Sequence, residues 1–157
     1  MKRHFLSKKD REQLLLLLEK KLKISSLPES VEVMEDEETK CYIFNGTPAI
    51  CILDNEPIPL LKWLLKSSGQ KPSIPRIVVN MGAVKPIANG ADLMAPGIVK
   101  IEGSFPKGSI VLVVEEERGI PIAVMRSLLS SEEVSSMKKG KVAENIHHIG
   151  DKLWKEL

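Results

Sequence analysis

The run NGADLMAPGI, residues 89–98, joins a stretch that reads as a short helix to one that reads as a strand. A simple chain reversal needs fewer special residues than Gly90, Met94 and the Pro96-Gly97 step. Two readings of the residues stay open. In the first, Gly90 is a helix C-cap, Ala95 to Ile98 form a type II turn and Met94 fills the end of a core. In the second, Gly90 and Ala91 offer backbone N–H groups that no bulky side chain shields, so a phosphate or base edge can approach. Met94 then lies against a base, while Lys85 and Lys100 neutralise phosphates. Asp92 suits RNA least, because a carboxylate repels phosphate and is better used to accept from loop N–H groups.

On either side of this run the chain alternates short strands with two helical inserts. AVKPIANGA is expected to be a short helix that Pro86 confines to starting near Val84 or Lys85. RIVVN, IVKIEG, SIVLVVEE and IPIAVMRSLL read as strands, punctuated by Gly103, Pro106, Gly108 and Gly119. Ser130 with Glu133 forms a capping box that opens SEEVSSMKKG, with Gly140 as its stop. VAENIHHI follows as a last strand. Five or six short strands at this spacing imply a small, partly closed barrel. Within VAENIHHI, Asn145 and His147 share one face and are expected to border the groove. His147 and His148 point to opposite faces and have no second ligand pair, so no metal is implied. Lys138, Lys139 and Lys141 form a solvated helix end or add phosphate contacts. The acidic runs Glu35 to Glu38 and Glu115 to Glu117 read as exposed turns.

The first half is organised differently. Ser7, three residues before Asp10, caps a helix that runs to about Lys23. Leu14, Leu15, Leu18 and Leu22 share one face of it, while Leu16 and Leu17 fall outside, an apolar arc that predicts two-sided burial or a partner. SVEVME, KCYIF and TPAICIL are strands, the last two joined by Asn45-Gly46, whose positive φ preference marks a type I′ hairpin. A plain two-residue loop sets Cys41 against Ile50 and Cys51 against Lys40. The thiols then face opposite ways, which argues against a disulfide and for two buried free cysteines. Pro48 falls opposite Ile43 and marks an edge strand. PIPLLKWLLKSSG begins with prolines suited to a helix start and stops at Ser67-Ser68-Gly69, and QKPSIP reads as a linker, with a domain boundary near residue 73.

At 157 residues the chain suffices for one ordinary domain or two small ones, and excludes catalytic folds that need some 250. A net charge of +2 announces no nucleic-acid partner by itself, so any basic surface must be local. No Gly-x-Ser-x-Gly elbow, P-loop or clustered metal ligands are present, so binding is expected in place of catalysis and no cofactor is implied. There is no charged n-region followed by an apolar h-region, and Leu14 to Leu18 is too short a run for a bilayer. A cytoplasmic protein without membrane contact is expected.

MGAVKPIANGADLMAPGI, the Phe105-Pro106-Lys107-Gly108 turn and GIPIAVMRSLLSSEEVSSMKKGKVAENIHHIGDKLW together resemble a PUA domain over about residues 75 to 154. Across the whole chain, ENIHHIGDKLW and the small preceding domain are similar to the malignant T-cell amplified sequence family of translation factors. The resemblance implies an α+β protein: a small N-terminal α/β domain, residues 1–73, then a PUA-type mixed-strand pseudo-β-barrel, residues 74–157. It implies an RNA face built from Lys85, Asn89, Gly90, Ala91, Asp92, Met94, Pro96 and Gly97, to which Lys100, Asn145 and His147 are added from their positions. It also implies binding to a tRNA acceptor end or small-subunit rRNA, with a density-regulated-type translation factor as partner. The chain is expected to be monomeric alone. Two alternatives stay open: an accessory tRNA-binding subunit of an RNA-modification enzyme of pseudouridine synthase or archaeosine transglycosylase type, and a protein-interaction scaffold.

Overall fold

The computed structural model describes residues 2–66 and 72–157. The chain divides into two compact units, Met1–Ser73 and Ile74–Leu157, within an α+β fold.

The first unit is an antiparallel meander carrying one long helix. Strands β1 (Lys2–Phe5), β2 (Val31–Glu35), β3 (Lys40–Phe44), β4 (Thr47–Leu53) and β5 (Glu56–Pro59) pair in sequence order. Helix α1 (Lys8–Leu22) starts where Ser7 Oγ accepts from the Asp10 N–H at 3.1 Å, and ends at Lys23 with φ 58°. Its burial is one-sided. Leu14, Leu18 and Leu22 enter the core, Leu15 and Leu17 are half-buried, and Leu16 stays 69% exposed, so the two-sided burial expected from the leucine run is not found. β1 carries no apolar alternation, which hid it from sequence reasoning. Pro57 and Pro59 stand in β5, and the helix that they were expected to open, α2, is confined to Leu61–Leu64. Trp63 of α2 meets Phe44 edge-to-face at 5.5 Å, fixing α2 against the sheet. The expected helix stop at Ser67-Ser68-Gly69, and Gln70 and Lys71 of the linker, lie outside the described residues.

The hairpin corrects two expectations. Asn45 (φ 48°) and Gly46 (φ 83°) do make the turn, and Ile43 does face Pro48. Between Tyr42 and Ile43, however, the ladder slips by one residue, so that Tyr42 faces Ile50 and Cys41 faces Cys51. The two sulfurs, both fully buried, are joined in a disulfide. One inserted residue reverses which side chains are opposed, and no feature of the sequence announces it. Nor is β4 an edge strand: β5 covers its Ile50–Leu53 portion, and Pro48 falls in the Thr47–Ala49 stretch that β5 does not pair.

The second unit is a curled sheet with order β7-β11-β10-β9-β6-β8. Its strands are β6 (Arg76–Val79), β7 (Leu93–Met94), β8 (Ile98–Glu102), β9 (Ile110–Glu115), β10 (Pro121–Ser127) and β11 (Lys141–His148). β6 and β9 are parallel, and every other pair is antiparallel. The outermost members, β7 and β8, follow one another in the chain, joined by a single 3₁₀ turn at Ala95–Gly97. The run quoted above therefore links the two edges of the sheet and forces it to curl into a half-barrel. Ile77, Val79, Leu93, Val111, Val113 and Met125 fill the interior, each contributing about 1.5–3 kcal/mol by burial.

Helix α3 (Met81–Ala88) begins earlier than Pro86 led one to expect. The Asn80 side chain accepts from the Ala83 N–H at 3.0 Å and fixes the start at Met81; the bond that Pro86 cannot donate falls in the last turn, where one loss is tolerated. Helix α4 (Ser131–Ser136) has the Ser130–Glu133 capping box but ends before the lysines, so Lys138 and Lys139 are not a helix end and Lys141 opens β11. Glu115 is buried, its Oε1 accepting from the Arg118 and Ile120 N–H groups, and is no exposed acid. A short helix α5 (Lys152–Glu156) closes the chain.

Candidate nucleic-acid interface

The residues from Lys85 to Gly97 leave α3, turn, pass through β7 and reach the 3₁₀ turn, and much of this path faces solvent. Lys85, Asn89, Ala91, Met94 and Pro96 are exposed, Met94 by 48%, so Met94 does not fill the barrel end; Leu93 does. Gly90 (φ 100°) ends α3. Its N–H donates to the Ile87 carbonyl at 3.0 Å, and the Ala91 N–H donates to the Pro86 carbonyl at 3.0 Å. That pair of bonds is a Schellman cap. It corrects the chemistry expected of these residues: both N–H groups are consumed inside the chain and are not offered to a phosphate. What Gly90 and Ala91 present outward is a bare, small-residue surface.

Gly97 serves for a different reason. It lacks the positive φ that a type II turn requires, so that expectation is also corrected. A Cβ on Gly97 would stand 3.2 Å from Ala83 Cβ, so glycine here permits α3 to sit close to the 3₁₀ turn. The Asn80 N–H donates to the Gly97 carbonyl, and the Ala95 N–H to the Gly140 carbonyl, pinning the turn at both ends.

Behind the exposed surface lies a polar brace. Asp92 Oδ1 accepts from the Asn145 N–H at 2.8 Å, and Asp92 Oδ2 pairs with Lys141 Nζ at 3.0 Å. The Asn145 bond foremost, and then the Lys141 contact, hold the Asp92 carboxyl below its ordinary value, and Asp92 in turn raises Lys141. Asn145 Nδ2 donates to the Ile87 carbonyl at 3.1 Å and the Ala91 carbonyl at 3.0 Å, stapling β11 to the end of α3. Asn145 is thus turned into the support of the loop. Asp92 accepts from a backbone N–H as anticipated, although that N–H comes from β11 and not from its own loop.

His147 does not border a groove. It is 1% exposed, and its Nδ1–H donates to Asp151 Oδ2 at 2.9 Å. Burial drives its pKa down, and the Asp151 carboxylate recovers only part of that. Asp151 also accepts from the His148 and Trp154 N–H groups, capping α5. Its place three residues before Trp154 and four after His147 was the available signal for this role. Lys100 stands on β8, past the 3₁₀ turn, exposed and 3.6 Å from Glu102. Met81 and Val99, 42% and 51% exposed, join the surface without any sequence cue beyond their position. Among the described residues no group of three or more His, Cys, Asp or Glu could hold a metal, and no helix is long and apolar enough to cross a membrane.

This architecture agrees with known families. Residues 75–149 match the PUA domain family, and residues 2–67 match a domain of unknown function, DUF1947. The second unit is therefore a PUA domain. Along its length the chain is 36% identical to an uncharacterized protein of Methanocaldococcus jannaschii, over 98% of this chain and 95% of the relative. It is 30% identical to translation machinery-associated protein 20 of Saccharomyces cerevisiae, over 76% of this chain and 67% of that protein. The crystal structure of a conserved PUA domain protein from Thermoplasma acidophilum superposes with a TM-score of 0.84 at 33% identity, covering 99% of both chains. The chain belongs to the family of translation machinery-associated protein 20, the malignant T-cell amplified sequence family.

Proposed function

We propose that this protein is an RNA-binding translation factor whose PUA unit, residues 74–157, contacts a tRNA acceptor end on the small ribosomal subunit. One observation carries the RNA reading: the only carboxylate between Met81 and Ile98, Asp92, is turned onto Lys141 and the Asn145 N–H. The outward surface of Lys85, Asn89, Ala91, Met94 and Pro96 carries no carboxylate of its own, and Glu116, from another segment, is held at the start of α3 by the Met81 N–H. The kinship with translation machinery-associated protein 20 supports the translation setting and a density-regulated-type partner. In this reading Gly90 and Ala91 admit the nucleic acid by smallness, Met94 lies against a base, and Lys85 and Lys100 meet phosphates. Asn145 and Asp92 are positioning residues that hold the loop.

The test compares a full tRNA, the same tRNA lacking its 3′-CCA, and an unrelated hairpin. Acceptor-end recognition requires the full tRNA to bind about tenfold more tightly than the truncated one; equal affinities for all three would exclude it. Ala91→Glu places a carboxylate on the exposed surface without touching the bonds of the Ala91 backbone. It is expected to weaken tRNA binding by about tenfold, and normal binding would show that the face is wrong. Co-purification separates the alternatives: small-subunit components fit a translation factor, a modification enzyme fits an accessory subunit, and protein without RNA fits a scaffold.

A further inference from the structure

The N-terminal half of α1 does not close onto the sheet of the first unit. Asp10, Gln13, Leu14 and Leu17 recur at helical spacing and share one face. Beneath them, alternate residues of each strand point to the same side. His4, Val33 and Tyr42 are registered neighbours across β1, β2 and β3, and two residues further along Glu35 faces Lys40. Between the helix face and the sheet face lies a cavity of about 220 Å³, bounded by these residues and Leu6.

Its walls are unlike an ordinary helix–sheet core. Leucines and Val33 line one part, but His4, Asp10, Gln13, Glu35, Lys40 and Tyr42 supply six polar side chains. None of the six side chains hydrogen-bonds or ion-pairs with another described residue. Glu35 and Lys40, although directly opposed in the ladder, form no salt bridge; the Lys40 ammonium lies instead 5.9 Å from the centre of the Tyr42 ring. Tyr42 is only 8% exposed, and its hydroxyl has no protein partner. His4, Asp10, Gln13 and Lys40 are exposed and Glu35 is half-buried, so in the empty cleft these groups are met by water and not by one another, and a ligand with matching charges can take that water's place.

We propose that this cleft binds a free α-amino acid with an apolar side chain. Asp10 and Glu35 receive the ammonium, Lys40 and the Tyr42 hydroxyl receive the carboxylate, and Leu6, Leu14 and Leu17 take the side chain. A ligand with a single charge fails on one side: a simple amine leaves Lys40 and Tyr42 unmet, and a simple acid is repelled by two carboxylates. The volume falls below the roughly 300–1,000 Å³ of pockets for drug-sized molecules, which suits a leucine-sized zwitterion and excludes a nucleotide. The inference is independent of the RNA face, which belongs to the other unit.

The test is calorimetric titration of the full chain with L-leucine, L-methionine, isoamylamine and 4-methylpentanoate. Saturable binding of an amino acid, with the amine and the acid each at least about tenfold weaker, is expected. Tyr42→Phe should weaken leucine binding by about three- to tenfold, and Glu35→Gln, on a more exposed strand position, by a similar factor. The proposal is overturned if neither amino acid binds up to about 10 mM, if isoamylamine binds as tightly as leucine, or if both variants bind as the parent does.

Discussion

Gly90 shows how much a single residue decides. At φ 100° it completes the Schellman cap of α3, and a Cβ there would stand 3.1 Å from His148 Nε2. Gly90→Ala must bear both the left-handed backbone and that contact, so a loss of about 1–2 kcal/mol in urea unfolding is expected. An unchanged midpoint would mean that the His148 ring moves aside freely. Ala91, one residue on, carries no such demand, which is why it and not Gly90 is the clean probe of the RNA face. His147 decides a pH dependence. Burial lowers its folded pKa from 6.5, so the unfolded chain takes up a proton first as the solution is acidified. The stability that neutral His147 contributes is therefore complete above about pH 6.5 and falls as pH drops below that value. Thermal unfolding between about pH 7 and pH 5 should show this decline, and His147→Gln, less stable throughout, should show a flatter profile. A profile as steep in the variant would place the titrating group elsewhere.

Among the elements, those governed by local chemistry were legible. Ser7 and Ser130 announced their helices, Asn45-Gly46 announced its hairpin, and Gly90 announced the end of α3, because each acts through bonds within three or four residues. What was illegible depends on distant parts of the chain. β1 is a strand only because β2 offers it a ladder, and the Asn145 amide serves as a staple only because α3 ends beside β11. The Cys41–Cys51 disulfide is the sharpest instance. Asn45-Gly46 makes the turn that its residue types dictate, but the slip between Tyr42 and Ile43 changes the partner of Cys41. A bridge closing so short a loop, sequence separation 10, is expected to contribute about 2.5–3 kcal/mol by restricting the unfolded chain. Thermal unfolding with and without a reductant should differ accordingly, and Cys41→Ser with Cys51→Ser should reproduce the reduced protein. Coincident transitions would show that the bridge does not form in solution.

For the molecule as a whole, electrostatics sets how RNA can be held. A net charge of +2 is spread over 23 basic and 21 acidic residues, and several cations are already engaged: Arg3 with Glu32, Lys100 with Glu102, Lys141 with Asp92. On or beside the proposed face two lysines, Lys100 and Lys141, are thus already paired, and a contact with about three or four phosphates gives a logarithmic salt dependence of roughly −2 to −4. The Asp92–Lys141 pair provides a handle on that number. Asp92→Asn keeps an oxygen that can accept from the Asn145 N–H, but releases Lys141 and raises the charge of the RNA face by one. With the proposed face, Asp92→Asn should tighten tRNA binding by about three- to tenfold at low salt and steepen the slope by about 0.7–0.9. It should also lower stability slightly, since a partly exposed ion pair contributes at most about 1 kcal/mol. An unchanged affinity and slope in a folded variant would mean that Lys141 does not reach the phosphates. The brace behind residues 89–92 would then serve the loop's shape alone.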